Sequence, residues 1–255
     1  MAHGRYVEYF DKQCRKVQAL SELINAVPSC LWVIRGLDVA TDELGIPTWV
    51  LAPLYRHLVN ESARIAMQQE GLEPLKITAH VGEDFRHLLE GMRRIYEHVH
   101  YILGGGSGRL GHAIALGVDP QAWAESVGSV LMPAEERLWD LVWEWRLYTQ
   151  YRIKPEFAAE ATAGRVEILL NKVCELSNFI YGGKNYRIEE LAEAHHVLHR
   201  FLVPPFTPRP AVEGGYDTFE RARQSIKLSS HKGRVHSPES VGDILDDYLL
   251  SLIHI

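Results

Sequence analysis

The sequence predicts an α/β protein built on parallel strands, and three observations predict it. Short apolar runs of strand length alternate with longer segments whose apolar residues recur at helical spacing. The order strand, helix, strand, helix, strand implies parallel pairing through right-handed crossovers. The ionisable residues gather where each apolar run ends, and parallel sheets of this kind bind ligands at the carboxyl ends of their strands.

Each element has its own reason. From about Tyr6 to Asn25 the apolar positions Val7, Phe10, Val17, Leu20, Leu23 and Ile24 fall on one helical stripe. Pro28 and Ser29 punctuate, and the compact run Leu31 to Ile34 reads as a first strand. Gly36-Leu-Asp38-Val-Ala-Thr41-Asp42-Glu43 then leaves its carboxyl end with acidic groups. Pro47 precedes a helical pattern from about Trp49 to Glu70, closed by Gly71. Leu75 to Ala79 reads as a second strand, Phe85 to Tyr101 as a helix, and Leu110 to Leu116 as a third strand after the glycines of 104–108. Beyond Pro120, residues 121–203 are almost entirely helical in pattern, with the tryptophan-rich stretch Leu138 to Trp145 at core spacing. Pro204 to Gly215 is too rich in proline for a helix. A basic stretch, Arg221 to His236, and an amphipathic segment, Val241 to Leu250, follow.

Composition limits the function classes. At 255 residues, 46% hydrophobic and 24% charged, the chain can bury a sizeable core. A net charge of -6 argues against a generic nucleic-acid binder, since phosphate affinity comes from excess Lys and Arg. Cys14, Cys30 and Cys174 are odd in number and widely spaced, so they form neither a disulfide framework nor a metal knuckle. With no apolar signal core and no run of about 18 apolar residues, a cytoplasmic protein with no membrane partner is expected.

The chemistry concentrates at the second and third strand ends. His80 closes a strand and can ligate a metal through a neutral ring nitrogen. Glu83, one tight turn later, reaches the same place as a proton donor if burial raises its pKa. The plainer reading is a core histidine and a glutamate placed where a helix dipole favours it. His112 ends the adjacent strand, with Gly111 and Ala113 leaving space beside the imidazole, and two polar strand ends favour the functional reading. Other patterns carry less. Gly106-Ser-Gly108-Arg-Leu-Gly111 matches a dinucleotide glycine pattern but follows a helix and precedes a strand, so it reads as a turn. His98 and His100 point to different faces of a helix. His195, His196 and His199 lie on an amphipathic helix, where His196 and His199 could share a face without a strand-end carboxylate nearby. Asp246-Asp247 reads as solvated, and the basic stretch 221–236 as solvated surface, with a grip on phosphates or an acidic partner as the other reading.

His80-Val-Gly-Glu83, then a helix, then Arg109-Leu-Gly-His112, resembles the His-Ala-Gly-Glu and Arg-Ile/Leu-Gly-His motifs of the metal-dependent adenosine deaminases, members of the amidohydrolase superfamily. The segment Gly36 to Glu43 looks like that family's Asp-Leu-Ala-Gly-Asp-Glu strand end. The resemblance covers about residues 31–117. It implies part of a (β/α)8 barrel, about strands 4 to 6, in residues 1–120, with a mostly helical insertion or assembly region in 121–255. It implies zinc as cofactor, His80 as a metal ligand, Glu83 as the proton donor to purine N1, and His112 as base or electrostatic partner of the metal-bound water. Thr41 and Gly82 would lie against the substrate, Thr41 standing where the family has a glycine. The implied reaction is hydrolytic deamination of adenosine or an adenine nucleotide, with RNA left open as substrate. The family's first-strand His-x-His and last-strand Asp-Asp are missing, so the chain reads as an internal fragment carrying part of the site. The helical insertion resembles the large bacterial phage-defence deaminases of the RADAR type, which implies a homo-oligomer and an ATPase partner. Two alternatives stand beside this reading: an inactive interaction or assembly module, and an amidohydrolase for a different amine or amide.

Overall fold

A computed structural model describes residues 6–104, 108–150, 159–184 and 186–200 of the chain. It shows a mixed α/β protein, mostly helical, around a small parallel sheet in the order β1-β2-β3. Helix α1 (Val7–Ala26) follows the apolar stripe of the sequence and buries Ile24 fully against Leu31, Leu58 and Ile65. The run expected as the first strand is instead a 3-10 turn, Pro28–Trp32, with proline at its start. The Cys30 amide donates to the Val27 carbonyl, and the Val33 and Ile34 amides donate to that of Cys30. A turn buries only some residues of an apolar run, and here Leu31 is buried while Val33 is 83% exposed. A short apolar run does not distinguish strand from helical turn by itself.

Strand β1 is therefore Gly36–Val39, which places Asp38 within the strand instead of beyond it. Helix α2 (Thr48–Ala66) leads to β2 (Lys76–Val81), and α3 (Leu88–Glu97) leads to β3 (Arg109–His112). The register pairs Asp38 with Thr78, Thr78 with Arg109 and His80 with Gly111. Alternation along β2 sends Ile77, Ala79 and Val81 into a core with Val39, Leu51, Leu88 and Ile95. Thr78 and His80 point to the opposite, half-exposed face.

Two further boundaries differ from expectation. Helix α3 begins only at Leu88, where the His87 side chain accepts the Leu89 amide as a cap, and it continues as one π turn over His98–Ile102. The third strand stops at His112. His112 and Ala113 both have positive φ, 60° and 49°, which ends the ladder, and Ile114–Leu116 form a 3-10 turn.

After the short α4 (Pro120–Val127), capped by the Asp119 carboxylate on the Ala122 amide, come α5 (Ala134–Gln150), α6 (Ala159–Ile180) and α7 (Ile188–Arg200). They share a second core of Leu138, Trp139, Val142, Leu169, Leu191 and Leu198, so the tryptophan stretch is core as its spacing predicts. Helices α5 and α7 also pack onto α3 and α2, placing this layer behind the sheet's helices. No helix among the described residues is long and apolar enough to cross a membrane. The proline-rich break, the basic stretch 221–236, Asp246-Asp247 and the chain end lie outside the described residues.

Candidate functional site

The turn after β2 is built on a carboxylate. Glu43 is 6% exposed and accepts the amides of Gly82 at 2.6 Å, Glu83 at 3.3 Å and Asp84 at 3.2 Å. Burial pushes its carboxyl up from the ordinary value, against these three donors, which pull it down. Gly82 has φ +76°, and a Cβ there would meet the Ile95 Cδ1 at 2.4 Å, so the turn requires glycine twice over. Its carbonyl accepts the Ala115 amide, so the backbone N–H and C=O of Gly82 are both engaged within the chain. The expected role of Gly82 against a substrate therefore gets no free backbone group.

The turn delivers Glu83 to the sheet end. His112 Nε2 lies 3.2 Å from Glu83 Oε2, and the His80 and His112 rings meet edge to face with centroids 5.0 Å apart. Continued alternation would carry His112 to the buried face beside its partner Val81. The positive φ of His112 instead leaves its side chain 45% exposed beside Glu83. On the other side, His80 Nε2 lies 3.4 Å from Asp38 Oδ2. The space beside Gly111, expected to admit substrate or water next to His112, is taken by the His80 ring, which a Cβ would meet at 3.2 Å. Thr41 is half-buried, its hydroxyl 2.9 Å from the Tyr9 hydroxyl. Tyr55, whose hydroxyl donates to the Asp38 carbonyl at 3.4 Å, has its pKa pushed up to about 12 by burial and by the nearby Tyr9 and Asp38.

Ligand atoms of His80, Glu83 and His112 all lie within 4.8 Å of one another, so the sequence motifs do meet. Of the three only His80 is expected as a metal ligand, short of the three or four protein ligands of a complete zinc site, and the half-exposed group is open to an outside ligand. Asp38 joins it from the strand interior, a placement hidden by the misplaced first strand.

A second group of the same composition lies in the helical layer. Glu97 ends α3 and is fully buried. His195 Nε2 is 3.0 Å from Glu97 Oε1, and His199 Nε2 is 3.5 Å from Glu97 Oε2. The histidines that share the buried face are thus His195 and His199, four residues apart, and the carboxylate comes from a helix end. His196 instead faces the Tyr101 hydroxyl at 3.1 Å. His98 is buried with its ring against the Arg94 carbonyl, and burial lowers its pKa to about 4, while the exposed His100 stacks on Tyr96. Their opposite orientations agree with the sequence reading. Beside Glu97, Arg93 is enclosed by Glu97 at 2.6 Å, Glu136 at 2.6 Å and Asp140 at 2.8 Å, tying α3 to α5.

No known protein-family model matches the chain, and no curated protein matches it either. The functional reading rests on geometry and motif.

Proposed function

We propose that the sheet-end group belongs to a metal-dependent hydrolase that deaminates adenosine or an adenine nucleotide, releasing ammonia. The observation that carries this reading is the convergence of His80 and Glu83, from the end of β2, with His112, from the end of β3, onto one half-exposed spot. A parallel sheet with helices over one face and Asp38, Thr78 and His80 on the other is the pattern expected of a segment of a (β/α)8 barrel. Residues 1–120 would supply about strands 4 to 6, and residues 121–255 the inserted helical layer.

His80 would hold a zinc ion, with Asp38 orienting its ring from the neighbouring strand. Zinc, when bound, supplies a water acidified towards neutral pH. Glu83 is placed to give a proton to the ring nitrogen of a purine, and the adjacent His112 to hold a proton removed from the nucleophile. The Glu43 clamp fixes the turn that carries Glu83, so that its carboxyl stays beside His112. Thr41, expected against the substrate, has its hydroxyl engaged with that of Tyr9 on α1.

Adenosine, AMP, ATP and RNA offered in parallel to the zinc-loaded protein, with ammonia and inosine measured, test the reaction and its substrate class. Release from an adenine compound supports the proposal. Ammonia from other amines or amides alone would reassign the protein among amidohydrolases. A second reading, an assembly module without turnover, is favoured by Phe179 on α6, which is 79% exposed. Oligomerisation, with or without an ATPase partner, and no release from any of the four compounds would favour it.

A further inference from the structure

We propose that Glu97, His195 and His199 form a second, buried binding site for a zinc-type transition metal, a cross-link between α3 and α7. The case starts from the tautomer of His199. Its Nδ1 lies 2.8 Å from the His195 carbonyl, which only accepts, so the ring proton sits on Nδ1. In a neutral ring of this tautomer Nε2 is a bare lone pair. It is buried, has no hydrogen-bond partner among the described residues, and faces the Glu97 Oε2 at 3.5 Å. Two acceptors turned towards each other repel, and an electrophile between them reverses the sign.

The remaining geometry suits a metal. Four ligands at zinc–nitrogen length around a tetrahedral ion stand about 3.3 Å apart. The carboxylate-to-imidazole separations here are 3.0 and 3.5 Å, and ligand atoms of all three residues lie within 4.8 Å of one another. A cavity of about 10 Å³ opens on Glu97, His195 and His199, room for a single water or ion. Glu97 is held from outside the triad by the Thr48 hydroxyl at 2.8 Å, the kind of outer support that fixes a ligating carboxylate. Arg93 and Arg94 are the opposing charges, 2.6 Å from Glu97 Oε1 and 3.9 Å from Glu97 Oε2, and Asp140 and Glu136, which contacts both guanidiniums, offset them. On ligation the His195 proton that faces Glu97 moves to Nδ1, so a neutral His195 keeps its proton count.

This site is independent of the sheet-end reading, and the test keeps the two apart. The His80→Ala/His112→Ala protein, stripped of metal by a chelator and dialysed, is titrated with Co2+ and with Zn2+. The readouts are the cobalt visible spectrum, metal content by elemental analysis, and the thermal midpoint. We expect one ion per chain, a tetrahedral cobalt spectrum, and a midpoint raised by Zn2+ but not by Mg2+. Adding His199→Gln should lose the ion and the midpoint shift while far-UV circular dichroism stays that of the parent. A folded parent double variant that binds no ion overturns the proposal, leaving a protonated His199 as the electrophile facing Glu97. Retention of one ion after His199→Gln overturns it as well. If His199→Gln does not fold, the parent's stoichiometry and zinc-specific midpoint shift decide the matter.

Discussion

Two groups with the same three residue types, two histidines and a glutamate, sit in very different surroundings. At the sheet end, His80, Glu83 and His112 are 35%, 34% and 45% exposed along their side chains. In the helical layer, Glu97, His195 and His199 are 0%, 6% and 3% exposed. The difference separates what each can do. An exposed group on a glycine turn can meet a substrate, whereas a group sealed between helices admits only something the size of an ion. Identical ligands do not make identical sites, and access divides them.

The sharpest way to break this contrast is to remove the charge beside the buried group. Arg93→Met leaves Glu97, Glu136 and Asp140 without their shared guanidinium, and should cost about 3–5 kcal/mol by urea unfolding. A cost below about 1 kcal/mol would show the cluster to be wet and relaxed, as surface pairs are.

The turn that serves the exposed group should respond next. Gly82→Ala meets both the positive φ and the Ile95 side chain, and should destabilise by about 1–3 kcal/mol. Glu43→Gln substitutes an amide for the carboxylate that takes three backbone donors, at a similar cost of about 1–3 kcal/mol. If that variant kept wild-type stability and the same Glu83 environment, the turn would not depend on its clamp.

The smallest effect is a surface control. Glu61 is held down to about 2 by hydrogen bonds from Arg64 and Asn25. Its folded pKa is below the ordinary carboxylate value, so its contribution is present above that value and lost as pH falls towards about 2. Glu61→Gln should flatten that acid limb by less than about 1 kcal/mol, since the pair faces solvent. A larger change would mean that surface pairs matter here as much as the buried cluster.

Legibility in the sequence followed the same division. The sheet-end residues are read from short contiguous motifs, because a strand end and its turn keep their chemistry within a few residues. Glu97 and His195 stand 98 positions apart, and nothing local announces their meeting. The sequence reading pairs His196 with His199 on one face, whereas packing against α3 brings His195 and His199 together on Glu97. The strand at Gly36–Val39 was missed because Leu31 to Ile34 is the more apolar run, yet Pro28 starts a turn there and Leu31 alone is buried. Asp38 was thereby seen as leaving a strand when it stands inside one, facing His80. The early end of the third strand depends on two non-glycine residues at positive φ, which the residue types at 112 and 113 do not foretell.

In the proposed reaction Glu83 is the group that moves a proton to the substrate. Inosine formation by the zinc-loaded Glu83→Gln protein, set beside wild type at equal metal content, tests this most directly. Turnover should fall by about 100-fold or more with zinc retained. Turnover within about threefold of wild type would contradict it, because an amide at that position cannot donate an acidic proton.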